Sequence, residues 1–318
     1  MRTRAVLVST LTALSVVVSG GLARASVAVE TVVAFDPNAG EFPEGVAVGP
    51  TGTLYVSLIE PVGDVVKFEG GTRSVLAHFD AASFGPLGLA TDAEGNVYVC
   101  VSTLDATTRG VYVVTPDGTS TRLPGTEGML FPNGVALGRD GTVYATDSIG
   151  GSVWRVPPGG TGAVWLQDPL LAGTGEAGLG FPLGANGIGV RRDHVFVSNT
   201  EGARVVKIPV RDNENAGAPK VLAEGDELFG SDGLAMSAKG NAFVAVNTQN
   251  TLLRVARNGS MKTFATGADG LENPASLAFG TVAGDRTTLY ITNFSIFTTP
   301  PHPALLSADV GEQGLPLP

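Results

Sequence analysis

The sequence predicts an all-β fold, a six-bladed β-propeller with a metal site in its central channel. Three observations lead there. A tripeptide followed by an apolar strand recurs six times: Pro43-Glu44-Gly45, Pro86-Leu87-Gly88, Pro132-Asn133-Gly134, Ala185-Asn186-Gly187, Ser231-Asp232-Gly233 and Pro274-Ala275-Ser276. Their third residues are 43, 46, 53, 46 and 43 positions apart, and a period of about 45 residues holds the four short strands of one blade. Their middle residues read Glu, Leu, Asn, Asn, Asp and Ala, so four of the six carry an oxygen suited to a hard cation.

The elements follow in order within each unit. In unit one, Val46 to Val48 is a first strand, Pro50-Thr51-Gly52 a hairpin turn, and Leu54 to Ser57 a second strand. Val65 to Phe68 and Ser74 to Ala77 supply the third and fourth. Ala93-Glu94-Gly95, Arg139-Asp140-Gly141 and Ala238-Lys239-Gly240 are the matching turns, with glycine where a positive φ is needed. Unit four uses Arg192-Asp193-His194 instead, and unit six inserts Thr281 to Thr288 before its second strand. No stretch has the pattern of a long amphipathic helix. The units run from about residue 29 to about residue 312, and Val29 to Phe35 is left over to pair with Ala304 to Val310 and close the ring. Three segments exceed what a blade needs: Asp168 to Gly184, expected at the mouth of the pocket, Arg211 to Lys220, expected on the outside, and Asn293 to Pro303.

Residues 1–25 read as an export signal, with Arg2 and Arg4 ahead of an apolar stretch and Ala23-Arg24-Ala25 as a small-x-small cleavage site. The expected mature chain, residues 26–318, is one propeller domain, secreted or periplasmic, monomeric and free of the membrane. Losing Arg2, Arg4 and Arg24 takes the formal charge from −10 to −13. That balance argues against nucleic acid as a partner and in favour of a small-molecule substrate and cations. One cysteine, Cys100, ends an apolar strand, which excludes an internal disulfide and reads as a buried packing thiol.

The tripeptides precede the innermost strand of each unit, so their middle residues face the central channel. Asn-Gly and Asp-Gly are also favoured turn pairs for backbone reasons alone. Against that reading, Glu44 is not a turn residue, and Leu87 and Ala275 occupy the same position without a polar group. Asn133, Asn186 and Asp232 lie on consecutive units and form an arc, which the longer Glu44 faces from the opposite side. Two carboxylates and two amide oxygens suit Ca2+, or another divalent cation, and leave coordination places for water and substrate. Phe131, Phe181 and Phe229 each precede a ring residue closely. They are candidates for a substrate-binding apolar wall, or for packing between blades. Asp147, Asn199, Asn247 and Asn293, at second-strand ends, either line the channel or cap backbone groups.

With Glu44, Asn133, Asn186 and Asp232 in this order and spacing, the chain resembles the senescence-marker-protein/gluconolactonase family of six-bladed propellers, to which diisopropyl fluorophosphatase and the paraoxonases are related. The resemblance covers essentially the whole mature chain. It implies a calcium-dependent hydrolase of lactones, esters or phosphotriesters. Glu44, Asn133, Asn186 and Asp232 would then surround the metal, with Asp232 as catalytic base or nucleophile. The histidine pair that some relatives place above the metal has no counterpart, since the chain has only His78, His194 and His302.

Two other readings fit a propeller. Tyr144-Ala145-Thr146-Asp147-Ser148 resembles the repeats of non-enzymatic NHL-like binding scaffolds, which do not require oxygen donors converging at one pole. A strictosidine-synthase-like enzyme would need a glutamate placed for amine chemistry, and the sequence offers no clear candidate.

Overall fold

The computed structural model describes residues 27–80 and 83–318. The expected export signal, residues 1–25, lies outside the described residues. The apolar runs become strands and assemble into six four-stranded antiparallel sheets. Blade 1 orders Pro43–Val48, Leu54–Leu58, Asp64–Glu69 and Thr72–His78 from the axis outward. Blades 2 to 5 repeat that meander from inner strands Gly85–Thr91, Pro132–Leu137, Ala185–Arg191 and Ser231–Met236. Blade 6 combines Pro274–Phe279, Thr288–Asn293 and Ala304–Asp309 with Val29–Ala34 as its outermost strand. Val33 lies opposite Leu305 in that last pairing, which is the ring closure the sequence anticipates. Helical structure among the described residues is limited to three-residue 3-10 turns.

Each blade is covered on both faces by its neighbours, so its inner strands are apolar at nearly every position rather than at alternate ones. All six residues of Pro43–Val48 are buried, whereas Thr72–His78 at the rim is mostly exposed. The core lies between blades. Ala47, Tyr55 and Val65 of blade 1 pack on Leu89, Val97 and Val99 of blade 2. Blades 4 and 5 meet through Phe196 and Val205 against Leu234 and Val244.

The six tripeptides are not turns, and their glycines have a different cause from the one turn chemistry suggests. Each tripeptide opens an inner strand, and the pairing register slips just after its first residue, as between Pro43 and Val46 or between Pro132 and Val135. Such bulges re-aim side chains. Gly45, Gly88, Gly134, Gly187 and Gly233 all lie outside the left-handed backbone region. What excludes a side chain is contact: a Cβ on any of them would fall on the carbonyl oxygen of Leu87, Asn133, Asn186, Asp232 or Ala275 in the next blade. The hairpin turns behave as expected, with φ of 83°, 86°, 79° and 87° at Gly52, Gly95, Gly141 and Gly240, and Arg192 takes φ 55° in unit four. Replacing Gly134 by alanine should therefore lower stability by about 1–3 kcal/mol through overpacking at the axis. A denaturation midpoint equal to that of the wild type would show that adjacent blades can separate there freely.

Candidate metal centre

Glu44, Asn133, Asn186 and Asp232 line one cavity on the propeller axis, of about 40 Å³. It is large enough for a single water or ion. Ala275, the blade 6 residue at the same register, forms part of its wall. Leu87, the blade 2 residue, instead packs into an apolar cluster with Ile59 and Phe131. Glu44, Asn133 and Asn186 are buried, and Asp232 is partly open.

The amide orientations follow from their partners. Asn133 Nδ2 donates to Ser148 Oγ at 3.1 Å, and Asn186 Nδ2 donates to Thr200 Oγ1 at 3.0 Å. Each hydroxyl commits its own proton to a backbone carbonyl, Ser148 to Ala185 O at 2.6 Å and Thr200 to Ser231 O at 2.7 Å. A hydroxyl that is already donating can only accept from the amide, so the nitrogen must face it and the amide oxygen must face away. Asp232 Oδ2 accepts from Asn247 Nδ2 at 3.3 Å. Glu44 Oε2 is buried and has no hydrogen-bond partner among the described residues. An unpartnered buried carboxylate oxygen is costly, and a hard cation is the partner its chemistry fits. Among the described residues no group of three or more His, Cys, Asp or Glu gathers, so a cation here would rest on two carboxylates and two amides.

A set of hydroxyls that the sequence reading missed fixes the backbone of this ring. Ser57 donates to Leu87 O at 2.7 Å, Thr146 to Asn186 O at 2.5 Å, Ser198 to Asp232 O at 2.6 Å and Thr292 to Glu44 O at 2.6 Å. Three of them also accept a backbone N–H of their own blade's tripeptide, Gly45 to Ser57 at 2.7 Å, Gly134 to Thr146 at 2.8 Å and Ser276 to Thr292 at 2.7 Å. Each stands one residue before the second-strand residue paired with the tripeptide's first member. The signal was present as a Ser or Thr at that register in four units, with Cys100 and Ala245 in the other two.

Burial raises the Asp232 carboxyl to about 7, against the lowering effect of hydrogen bonds from Asn247 and Asn186. Burial also pushes Glu44 well above the ordinary carboxylate range, and the nearby charge of Asp232 pushes it further. A buried carboxyl raised further by a second carboxyl beside it forms a pair that a divalent cation would neutralise.

Of the three candidate phenylalanines, two come together. The rings of Phe131 and Phe181 lie 5.5 Å apart, and both contact Phe84, at 5.0 and 6.1 Å. Phe229 is partly buried elsewhere, and its carbonyl accepts from Thr248 and Gln249. The segment that carries Phe181 is held by Glu201. Its carboxylate accepts from the backbone N–H groups of Thr174, Gly175, Ala177 and Leu183 at 2.6, 2.6, 2.9 and 3.1 Å. Burial alone would raise the Glu201 carboxyl, but these four bonds outweigh it and hold the group below its ordinary range.

The second-strand ends divide by role. Asp147 accepts from Leu130, Phe131 and Gly150, Asn199 bridges Leu170, Ala172 and Gly202, and Asn293 bridges Gly270 and Glu272. These three tie loops to strands, and only Asn247 reaches the ring. Cys100 is fully buried, its thiol pushed up by burial and by the charges of Glu44 and Asp147, so it packs rather than reacts. His78, His194 and His302 pair with Asp64, Asp193 and Glu272, and none of them lines the axial cavity.

These features define a class: a six-bladed β-propeller with two carboxylates and two amides converging on its axis. Residues 181–295 match the family model described as the SMP-30/Gluconolactonase/LRE-like region, a stretch that contains Asn186 and Asp232. The match covers about a third of the chain and falls in the family its repeats resemble. Solved structures agree over most of its length. A luciferin-regenerating enzyme aligns at 14% identity and a TM-score of 0.68, covering 91% of this chain and 97% of its own. A gluconolactonase from Xanthomonas campestris aligns at 20% identity and 0.62, covering 88% and 87%. The calcium-binding protein regucalcin from Agrobacterium tumefaciens str. C58 aligns at 17% identity and 0.65, covering 87% and 92%. At these identities the likeness establishes the fold. No curated protein matches the chain by sequence.

Proposed function

We propose that this chain is a calcium-dependent hydrolase of small lactones or esters, exported to the periplasm or beyond and active as a monomer. The observation that carries the reading is the buried, unpartnered Glu44 Oε2 on a cavity shared with Asp232. The family match and the gluconolactonase and regucalcin likenesses support a lactonase-type activity and a divalent metal.

Glu44, Asn133, Asn186 and Asp232 would hold the ion through their side-chain oxygens. When bound, calcium supplies a Lewis acid for a substrate carbonyl oxygen. Asp232 is the most exposed of the four ring members, so a water can reach it. Its carboxylate lines the cavity, where it can accept a proton from that water. Asn247 fixes Oδ2 and with it the plane of the carboxylate. As the water oxygen bonds to the carbonyl carbon, its proton passes to Asp232. The proton then returns to the leaving oxygen as the ring C–O bond breaks, which gives a hydroxy acid.

The test is turnover of a panel of lactones and aryl esters with calcium added and then removed by a chelator, alongside calorimetric calcium titration. Saturable calcium binding and hydrolysis lost on chelation are expected. Absence of calcium binding would sink the site, and hydrolysis indifferent to the chelator would sink the mechanism.

A further inference from the structure

The loops that lead into the ring tripeptides carry a cluster of aromatic side chains. Phe84, Phe131 and Phe181 form a continuous aromatic wall. Leu87, at the ring register itself, packs with Ile59 and Phe131, and Phe131 stands two residues before Asn133, so the wall reaches the ring register. Phe84 adopts φ 63°, a left-handed backbone that bulky residues avoid and that persists only where surrounding structure holds it. Phe181 is fixed from the other side through the Glu201 clamp on its segment.

The exposed apolar side chains have the same polarity of placement. Nine large hydrophobic side chains are exposed among the described residues. Val32, Val75, Val164 and Val221 lie on the outermost strands of their blades. The other five, Phe84, Leu104, Leu130, Leu179 and Phe297, lie on loops at the pole where the tripeptides begin. Singly exposed hydrophobics are ordinary, but this concentration beside an oxygen-lined cavity is the pattern of a ligand site.

We infer that the substrate is a lactone or ester with an extended alkyl or aryl substituent, seated on the Phe84–Phe131–Phe181 wall with its carbonyl at the ring. The inference rests on the hydrolase reading above. An aldonolactone would lay its hydroxyls against rings that cannot hydrogen-bond them, and each would lose water without replacement. An alkyl substituent gains there for the same reason, by about fourfold in affinity or kcat/KM per methylene buried.

Two series differing only in alkyl length test this. Alkyl lactones and an aldonolactone give kcat/KM. The 2-alkylcyclopentanones, which keep a ring carbonyl but cannot be hydrolysed, give affinity by calorimetry. Both quantities should rise about fourfold per methylene until the wall is covered, with the aldonolactone a poor substrate. The slope should flatten in Phe181→Ser and in Phe84→Asn, the latter chosen because asparagine tolerates the left-handed backbone. A cyclopentanone slope without any turnover would overturn the hydrolase reading and leave the apolar site standing. An aldonolactone turned over as well as the alkyl series would overturn the substrate class and leave the hydrolase. A flat slope, with neutral phospholipid vesicles bound instead and released by the same two substitutions, would also overturn it and assign the face to a membrane surface.

Discussion

Asp232→Asn is expected to lower turnover by about 10²- to 10⁴-fold, the range for loss of a positioned proton acceptor. The change is isosteric and removes the charge. Calcium affinity should fall with it, because one carboxylate then remains to balance a divalent cation. The two losses are separable. At calcium concentrations that saturate the variant, binding is restored but the base is not, so kcat should stay low. Turnover that returns to the wild-type value at saturating calcium would make Asp232 a ligand only. The fold should survive the change, since Ser198 holds the Asp232 backbone carbonyl whatever the side chain carries.

The second large effect is on the metal-free protein, which should become less stable as pH rises from about 4 to about 7. The sign follows from the two ring carboxyls. Asp232 has an ordinary value of 3.8 and is raised to about 7 by burial. Glu44, ordinarily at 4.5, is raised well above that by burial and by Asp232. Across this window the folded chain keeps protons that the unfolded chain has lost, so each pH unit costs about 1.4 kcal/mol per proton of difference. Glu201 and Glu312 are shifted downward and act in the opposite sense, but only below about pH 4.5, where they begin to protonate in the unfolded chain. Denaturation in chelator at about pH 5.5 and 7.5 should show the fall, and calcium should abolish it. Glu44→Gln should flatten the profile and leave the metal-free protein more stable at pH 7 than the wild type while it loses calcium. A wild-type profile that is flat in chelator would mean that the two carboxyls are solvated in solution.

The propeller was legible because its cause is repetitive. Six units bury the same faces, so the same apolar runs and hairpin glycines return with one period, and Val29–Ala34 was left over to complete blade 6. The ring position was legible for a related reason: Leu87 and Ala275 show what the register accepts without a polar side chain, which isolates Glu44, Asn133, Asn186 and Asp232. The hydroxyl girdle was not read. Ser57, Thr146, Ser198 and Thr292 bond to residues 30, 40, 34 and 248 positions away, and no local pattern announces such partners. The cause of the tripeptide glycines was hidden for the same reason, because what excludes their side chains is a carbonyl of the next blade.

The amino-acid order by itself determined the strands, their number, the closure of the ring and which side chains stand at its register, since each follows from periodicity and short-range backbone preference. Only the tertiary structure decided how those side chains are set. Asn133 and Asn186 turn their nitrogens to Ser148 and Thr200, which can only accept there, and Glu44 Oε2 is left without a partner among the described residues. Phe181 joins Phe131 and Phe84 while Phe229 stays apart. The physical reason is one of distance: hydrogen bonds and ring contacts across blades depend on where the closed ring brings residues far apart in sequence.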